Sequence, residues 1–264
     1  MTGKTRVFAL VGHPVARSRS PEIYNPLFAA FGIDAVYVAF DVPEAAGLVP
    51  AIRALGLAGV NVTVPWKEAV VAELDEADAA VLRIGAANVI VRDGARLVGH
   101  NTDGEGWVRG FEREFGPIVG RRVAVLGAGG SGRAIAAAAV DHGASRVHLL
   151  NRDVARAAGA AGAIGCGWGA LADLEVLRPD VVVCAVAEGG AAAVEGLSVA
   201  TLPEDAVWCD INYWCPEPPR LAACLARGLR VQRGLPMLVH QAVLSFALFT
   251  GVSVAPDDVS AGLR

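Results

Sequence analysis

Lys67 is the residue in this chain whose type and position most directly suggest chemistry. The sequence contains 21 arginines but only two lysines, and the other lysine, Lys4, lies in the terminal segment. A lysine side chain can give up a proton when its surroundings change, whereas arginine stays protonated. Asn61 and Thr63 precede Lys67 and, at alternating positions, share one face of a predicted strand. The group predicts a site for hydroxyl groups with Lys67 transferring protons; a solvated edge strand would explain Asn61 and Thr63 but not Lys67.

A loop rich in hydroxyl groups follows the first predicted strand. Ser18 and Ser20 stand in this loop, and Pro21 suits the first turn of a helix. Two hydroxyls beside the free amides of a helix end could receive an anionic group such as a carboxylate. The alternative is that Ser20 only caps the helix, and the loop taken alone favours that simpler role.

Three further polar side chains stand within or beside predicted elements. Asn88 lies in a predicted strand, and Asp103 stands between a strand and a helix. Asp103 is either the cap of that helix or a carboxylate partner of Lys67. Gln241 is the one amide in a final apolar helix, where it either bonds locally or reaches a ligand.

A glycine motif follows a short apolar run in the second half of the chain. Gly127, Gly129 and Gly132 have the order G-x-G-x-x-G, and an alanine-rich helix and a second apolar run come after them. This order suits a dinucleotide pyrophosphate, because glycines permit close backbone approach and the helix N-terminus offers free N–H groups. An ordinary turn would explain the glycines alone, but not the whole strand–helix–strand unit.

The residues after the second strand of this unit bear on which dinucleotide is bound. Asp153 stands about where an acidic residue binds the ribose hydroxyls of NAD. Arg152 and Arg156 offer two guanidinium groups for the additional phosphate of NADP. Asp153 could instead cap the helix that follows. The pattern favours NADP, and NAD stays open because of Asp153.

These side chains need strands and helices in alternation to position them, and the chain predicts such an arrangement. The predicted strands cover residues 7–11, 35–40, 59–65, 85–91, 123–126, 147–150, 181–186, 206–211 and 229–232. The predicted helices cover residues 21–31, 44–55, 220–227 and 240–249. Three more helices are predicted: one that starts at residues 65–67, one that follows Asp103 and runs to residue 115, and one that runs from the glycine motif to residue 142. A hairpin is predicted at Asp93-Gly94. The alternation is typical of the α/β class.

Composition limits the class of protein. The 264 residues carry a net charge of −4 and are 54% hydrophobic, with a mean hydropathy of +0.45. No apolar stretch reaches the roughly 20 residues of a membrane helix. The N-terminal apolar run is too short for a signal peptide, and no basic cluster suggests nucleic acid. Five cysteines without paired C-x-x-C spacing predict reduced thiols in the cytoplasm and no metal site.

Taken in order along the chain, these motifs resemble those of the shikimate dehydrogenase family. The resemblance covers nearly the whole chain and rests on Ser18-x-Ser20-Pro21, Asn61-Val62-Thr63-x-Pro65-x-Lys67, Gly85-Ala86-Ala87-Asn88, Asn101-Thr102-Asp103, Gly127-Ala128-Gly129-Gly130, Asn151-Arg152, Asp210-x-x-Tyr213 and Met237-Leu238-x-x-Gln241. It implies an α/β protein of two domains. Residues 1–104 would form an N-terminal α/β substrate domain and residues 105–236 a Rossmann-like, doubly wound dinucleotide domain. Residues 237–264 would form a helical segment that returns to the substrate domain.

The resemblance also implies a reaction and a set of site residues. The reaction is the reversible, NADP(H)-dependent reduction of 3-dehydroshikimate to shikimate, with Lys67 as the catalytic residue and Asp103 as its partner. The implied substrate contacts are Ser18, Ser20, Asn61, Thr63, Asn88, Tyr213 and Gln241. The implied cofactor contacts are Gly127, Ala128, Gly129, Gly130, Ser131, Asn151, Arg152, Asp153, Arg156, Ile211 and Gly234. The expected partner is a small cyclic hydroxy acid, and the expected assembly is a monomer or homodimer.

The chain departs from the family pattern mainly on the cofactor side. Tyr24 stands where the family usually has His, and Asp153 where it usually has Thr. Residues 184–190 replace an Asn-Ala-Thr-Ser-like stretch, and Cys215 and Pro218 replace Pro and Thr. A divergent paralogue is therefore the first alternative, using NAD or acting on quinate, aminoshikimate or another cyclic hydroxy acid.

Two other classes of protein are open as alternatives. Methylenetetrahydrofolate dehydrogenase would also join a catalytic lysine to a dinucleotide domain, but the Ser18/Ser20 loop and Asn101-Thr102-Asp103 argue against it. A non-catalytic NAD(P)-binding regulatory protein would explain the altered cofactor motifs. It predicts cofactor binding without turnover of any cyclic hydroxy acid.

Overall fold

A computed structural model of the chain describes residues 1–187, 190–214, 219–261 and 263. The backbone divides into one unit of Met1–Thr102 with Val239–Arg264 and another of Asp103–Leu238. Each unit contains its own β-sheet with helices connecting the strands. The predicted α/β class is confirmed.

The strands alternate with helices along most of the chain. In chain order they are β1 (Arg6–Gly12), β2 (Ala35–Asp41), β3 (Gly59–Val62), β4 (Glu76–Ala77), β5 (Val89–Asp93), β6 (Arg96–His100), β7 (Arg122–Leu126), β8 (Arg146–Leu150), β9 (Gly167–Gly169), β10 (Val181–Cys184), β11 (Val207–Asp210) and β12 (Arg230–Gln232).

The helices include several short ones. They are α1 (Ser20–Ala30), α2 (Leu48–Ala54), α3 (Ala79–Ile84), α4 (Asp103–Phe115), α5 (Gly130–Asp141), α6 (Val154–Ile164), α7 (Leu174–Leu177), α8 (Ala191–Glu195), α9 (Pro219–Ala226), α10 (Leu235–Thr250) and α11 (Pro256–Ala261). Two 3₁₀ helices cover Ala69–Glu73 and Leu171–Asp173.

The sheet of the first unit is mixed, with the strand order β2-β1-β3-β5-β6-β4. β1 pairs in parallel with β2 and β3, whereas β5 pairs antiparallel with β3 and β6. The predicted hairpin is confirmed, and Gly94 takes the positive φ (60°) that its turn needs. Because β1 and β3 run parallel, the segments that follow them start at the same edge of the sheet.

The sheet of the second unit is parallel, with the strand order β12-β11-β10-β7-β8-β9. Successive strands run outward from β7 to β9 on one side and from β10 to β12 on the other. The order therefore reverses between β7 and β10, which is the doubly wound arrangement that the family resemblance implied. Ligands of such sheets bind outside the carboxyl ends of the strands at the point of reversal.

Aromatic rings fill much of the core of the first unit. Tyr24 of α1 stacks on Tyr37 of β2, with ring centroids 4.3 Å apart and planes 12° apart. Phe246 and Phe249 of α10 join this cluster, the latter at 5.0 Å from the ring of Phe8 in β1. These ring contacts attach the C-terminal part of α10 to the first unit.

The helix predicted to open at residues 65–67 was wrong. The amide of Trp66 donates to the Thr63 carbonyl (3.0 Å) in a turn, and the next regular element is a 3₁₀ helix. Pro65 explains the difference, because it disfavours helical geometry at Val64 and has no N–H to donate. For the same reason β3 ends at Val62, earlier than the predicted residue 65.

The predicted capping role of Ser20 was also wrong. Arg19 occupies the cap position of α1 without a side-chain capping bond, and Ser20 is the first helical residue. Pro21 is tolerated at the next position, because an N–H in the first turn of a helix has no intrahelical acceptor and proline loses no hydrogen bond there.

Glycine and proline residues also place several helix and strand boundaries away from their predicted positions. α2 begins at Leu48, after Gly47 at φ 77°, and α10 begins at Leu235 because Pro236 is compatible with a first helical turn. The unpredicted α3 ends at Gly85, so β5 starts at Val89 rather than at residue 85. β10 and β11 are shorter than predicted, covering residues 181–184 and 207–210.

Within the described ranges, no helix is long and apolar enough to cross a membrane. The same ranges contain no group of three or more His, Cys, Asp or Glu residues arranged to hold a metal ion. Cys166, Cys184, Cys209 and Cys224 are free thiols.

Candidate active site

The hydroxyl-rich loop and the lysine segment of the first unit meet at the carboxyl ends of β1 and β3. The amide of His13, in the loop, donates to the carbonyl of Val64 (2.9 Å). Ser20 is buried, and the Ser18 hydroxyl donates to Ser20 Oγ (3.2 Å) while the Ser20 amide donates to Ser18 Oγ (3.3 Å). The two serines therefore form one polar group at this edge.

Lys67 lies in the turn after β3 and is partly exposed. Its carbonyl accepts a hydrogen bond from the amide of Ala87 (2.8 Å), which joins this turn to the residue before Asn88. Thr63 stands at the start of the same turn, also partly exposed, and its amide donates to the Val11 carbonyl (2.9 Å). The backbone thus brings Thr63, Lys67 and the Asn88 segment together.

Asn88 is buried, and Thr102 fixes the orientation of its amide. Asn88 Oδ1 accepts from the Thr102 amide (2.8 Å), and Asn88 Nδ2 donates to Thr102 Oγ1 (2.9 Å). Asn101 adds a second link, because its Nδ2 donates to the Ala86 carbonyl (2.9 Å). The two motifs that carry these residues are therefore joined directly.

Asn61 is only 5% exposed, and protein groups bond both ends of its amide. Its Oδ1 accepts from the Tyr37 hydroxyl (2.7 Å). Its Nδ2 donates to Ser245 Oγ (3.3 Å) and, at 3.4 Å, to the Asn88 carbonyl. Sequence reasoning missed Tyr37 and Ser245, because each stands in an apolar element and carries no motif.

Gln241 lies one helical turn before Ser245 on α10 and is partly exposed. Its carbonyl accepts from the Ser245 hydroxyl (2.8 Å). The position places Gln241 in the first unit, together with the serines, Lys67 and Asn88.

In the second unit, the glycine motif connects β7 to α5 as predicted. Gly127 has a φ of 108°, and a Cβ atom on Gly132 would lie 1.8 Å from the Gly127 carbonyl oxygen. Only glycine permits this tight turn. Gly129 caps α5, and the first amides of that helix have no intrahelical acceptors.

The segment after β8 lies against this glycine loop. Asn151 Oδ1 accepts from the Ala128 amide (3.3 Å), and Arg156 Nε donates to the Ala128 carbonyl (3.2 Å). Asp153 caps α6, accepting from the Arg156 amide (3.2 Å), and Arg152 is exposed. The capping alternative for Asp153 is therefore confirmed.

The glycine loop fits a dinucleotide with an additional phosphate. A Cβ on Gly129 would meet nothing within 4 Å, so the space beside the backbone is open where phosphates would lie. The α5 N-terminus supplies amides and dipole, and Arg156 is held beside the loop.

Asp103 is the first residue of α4 and is 3% exposed. Its Oδ2 accepts from the hydroxyl of Ser131 in α5 (2.8 Å). This contact depends on Gly104, because a Cβ there would lie 2.2 Å from the Ala134 carbonyl oxygen. The close packing of α4 on α5 thus links Asp103 to the residues of the glycine loop.

Ile211 and Tyr213 follow β11, at the same edge of the sheet as the glycine loop. The Ile211 amide donates to the Cys184 carbonyl (3.2 Å). The backbone of Gly234 packs against Ile211, since a Cβ on Gly234 would fall 2.2 Å from the Ile211 carbonyl oxygen. The ring of Tyr213 meets Trp214 edge-on at 5.2 Å.

Asp210 is a buried carboxyl group at the end of β11. Its Oδ1 accepts from the amide (2.9 Å) and Nδ2 (2.8 Å) of Asn212, whose Nδ2 also donates to the Val186 carbonyl (3.2 Å). Burial raises the pKa of Asp210, and burial together with the Asp210 charge raises the pKa of Cys184 to about 12. Cys184 therefore stays a thiol at neutral pH. Of the departures from the family pattern, Glu188, Gly189, Cys215 and Pro218 lie outside the described residues.

Two family models match the chain. Residues 10–90 match the shikimate dehydrogenase substrate binding domain, and residues 234–259 match the shikimate 5'-dehydrogenase C-terminal domain. The NADP(+) shikimate dehydrogenase of Geobacter metallireducens is 38% identical, over 97% of this chain and 95% of that protein.

Solved structures are similar over almost the full length. Shikimate 5-dehydrogenase from Thermus thermophilus, in complex with NADP(H) and shikimate, has a TM-score of 0.87 at 34% identity, covering 98% of each chain. Quinate dehydrogenase from Corynebacterium glutamicum, in complex with NAD, has a TM-score of 0.84 at 31% identity, again covering 98% of each chain.

Proposed function

The chain belongs to the shikimate dehydrogenase family, and on that premise we propose that it interconverts 3-dehydroshikimate and shikimate with NADP(H). One observation carries the proposal. Lys67 is joined through its carbonyl to the segment of Asn88, in a unit that also holds the paired hydroxyls of Ser18 and Ser20. This group provides a proton donor, hydroxyl ligands and a carboxylate site for one small ring.

Lys67 carries the proton transfer in this proposal. When bound, NADPH supplies the hydride that reduces the ketone carbon. The oxygen of that ketone then gains negative charge, and the Lys67 ammonium stabilises it and donates the proton that completes the hydroxyl. In the reverse direction the neutral amine accepts the same proton. We assign Asp103 an assisting role, binding a substrate hydroxyl through its carboxylate.

The remaining substrate contacts follow from the groups that each side chain offers. Ser18 and Ser20 bind the substrate carboxylate through their hydroxyls. Thr63, Asn88 and Gln241 bind ring hydroxyls, and Tyr213 completes the set. All except Tyr213 belong to the first unit.

The cofactor residues belong to the second unit. The α5 amides and the loop from Gly127 to Ser131 bind the pyrophosphate. Arg152 and Arg156 bind the phosphate on the ribose, supported by the position of Arg156 beside the loop. Asp153 acts on α6 as its cap, which leaves phosphate recognition to the arginines.

NAD and quinate form the second candidate pair. Asp153 is a carboxylate side chain that stands between the two arginines in sequence, and a quinate dehydrogenase with bound NAD is among the similar structures. We further propose a cytoplasmic enzyme that acts as a monomer or homodimer, which light scattering on the purified protein distinguishes.

Substitution of Lys67 tests the mechanism. Lys67→Ala removes acid–base assistance worth roughly 10²–10⁴-fold, so kcat should fall by about that factor while the KM for NADP changes less than about twofold. Lys67→Arg keeps the charge but does not readily release a proton, and kcat should stay low. The measurement is the initial rate of NADPH formation from saturating shikimate.

Lys4→Ala is the matched control, because Lys4 is the other lysine and is exposed. It should retain the wild-type rate. An active Lys67→Ala variant with the kcat of the wild type would refute the assignment of Lys67.

A further inference from the structure

Five buried polar side chains of the first unit form a connected set that includes Asn88, one of the proposed substrate contacts. We call it the buried relay, and its members are Tyr37, Asn61, Asn88, Thr102 and Ser245. Tyr37 and Ser245 are 1% and 0% exposed, and the other three are at most 6% exposed. The members come from β2, β3, the residues before β5 and α4, and α10. Hydrogen bonds between them therefore couple segments that are distant in sequence.

The hydrogen bonds of the relay have a defined direction. The Ser245 hydroxyl has one hydrogen, which goes to the Gln241 carbonyl at 2.8 Å. Ser245 Oγ must therefore accept in its 3.1 Å contact with Thr102 Oγ1, so Thr102 is the donor. Thr102 Oγ1 in turn accepts from Asn88 Nδ2 (2.9 Å). An alternative acceptor for the Thr102 hydroxyl, Asn88 Oδ1, is more distant at 3.4 Å.

Asn61 enters the relay from the other side. Its Nδ2 donates to Ser245 Oγ and to the Asn88 carbonyl, and its Oδ1 accepts from the Tyr37 hydroxyl. Both hydrogens of the amide thus have protein acceptors, and little of its surface is exposed.

We propose that Ser245 is a positioning residue that fixes the orientation of Asn88 through Thr102, and that Asn61 is held in place by the same relay. Ser245 is where the chain from Asn88 and the chain from Asn61 meet. Its bond to the Gln241 carbonyl fixes the Ser245 hydroxyl on α10, so the position of Asn88 depends on the helix that carries Gln241. The kinetic consequence of this inference rests on the proposed function, whereas its structural consequence does not.

Removal of the Ser245 hydroxyl has a specific expected effect. In Ser245→Ala the Thr102 hydroxyl and one Asn61 hydrogen lose their acceptor in a fully buried place. The nearest alternative for Thr102 is Asn88 Oδ1, and that bond competes for the oxygen that now accepts from the Thr102 amide. The Asn88 amide should then no longer have one orientation.

The first test is kinetic and compares Ser245→Ala with Ser260→Ala. Ser260 lies in α11 and bonds the Pro256 carbonyl four residues earlier (2.9 Å), as Ser245 does with Gln241, but it has no place in the relay. Ser245→Ala should raise the KM for shikimate about tenfold, with kcat and the KM for NADP changed less than about threefold. Ser260→Ala should leave all three constants unchanged.

Thr102 supplies a second pair of variants that keeps the inference testable if Ser245→Ala folds poorly. Thr102→Val removes the hydroxyl and should raise the KM for shikimate as Ser245→Ala does. Thr102→Ser keeps the hydroxyl and should have the KM of the wild type. In the double variant of Ser245→Ala and Thr102→Val, the increase should be no larger than in the stronger single variant, because both act on one chain of bonds. Independent, multiplicative effects would overturn the relay.

A structural readout separates this inference from the proposed function. In ¹H–¹⁵N spectra, the side-chain amide signals of Asn61 and Asn88 should shift in Ser245→Ala and stay in place in Ser260→Ala. Shifted signals in a protein that does not oxidise shikimate would retain the relay and reject the proposed function. Unmoved amide signals, or an unchanged KM in a protein that does turn over shikimate, would overturn the inference.

Discussion

Two buried phenol groups lie side by side in the first unit, with opposite consequences for stability. Tyr37 donates its hydroxyl to Asn61, whereas the Tyr24 hydroxyl is fully buried without a hydrogen-bond partner among the described residues. Burial raises the pKa of Tyr24. A buried hydroxyl without a partner costs free energy, because it lost its bond to water.

Replacing each tyrosine by phenylalanine should therefore change stability in opposite directions. Tyr24→Phe removes the unpartnered hydroxyl and should raise the free energy of unfolding by about 1 kcal/mol. Tyr37→Phe removes the donor to Asn61 and should lower it by about 1–2 kcal/mol. Urea denaturation measures both, and each variant is the control for the other because the stacked rings are retained. A loss of stability in Tyr24→Phe would mean that its hydroxyl has a stabilising partner.

Some residues of the candidate site could be identified from the sequence, and others could not. Lys67 was identifiable because the chain uses arginine for nearly every other cation, and the asparagines because they interrupt apolar runs. Ser245 gave no such signal, since a serine in an apolar helix most often bonds its own backbone. Only the structure places it against Asn61 and Thr102.

At the start of α6, Asp153 has two effects that substitutions can separate: it caps the helix and it adds a negative charge. Asp153 caps the helix, and its negative charge lies next to Arg152 and Arg156. Asparagine caps a helix about as well as aspartate but carries no charge, whereas alanine neither caps the helix nor carries a charge.

Asp153→Asn and Asp153→Ala should therefore agree in cofactor binding and differ in stability. Both remove a negative charge near the proposed phosphate site, so the KM for NADP should fall about threefold in each. Only Asp153→Ala should lose about 1 kcal/mol of unfolding free energy. Steady-state kinetics and thermal denaturation test the pair, and equal stability of the two variants would contradict the capping role.

Predicted elements were correct around the glycine motif, whereas single glycines and prolines elsewhere moved predicted boundaries. The strand, glycine turn and helix around Gly127 agree with the structure, because the tight turn leaves no room for a side chain at Gly132. Pro65 and Pro236 had opposite outcomes. The first prevented a predicted helix, and the second stands inside the first turn of α10, before the predicted start.

At the scale of the molecule, the two sheets differ in how far the sequence determines them. The parallel sheet of the second unit follows from repeated strand–helix alternation and right-handed connections. The mixed sheet of the first unit has β4, a two-residue strand, at its edge beside β6, a pairing that no periodicity indicates. The family resemblance, rather than periodicity, supplied the return of the last helix to the first unit.

One set of initial rates tests most directly whether this chain oxidises shikimate with NADP. Purified protein is assayed with shikimate and with quinate, each with NADP and with NAD, following the absorbance of the reduced cofactor. We expect the highest kcat/KM for shikimate with NADP. Preference for NAD or for quinate would identify a divergent paralogue, and preference for NAD would mean that the Asp153 charge outweighs the two arginines. No turnover in any combination, although NADP binds, would refute the dehydrogenase function and favour a regulatory protein.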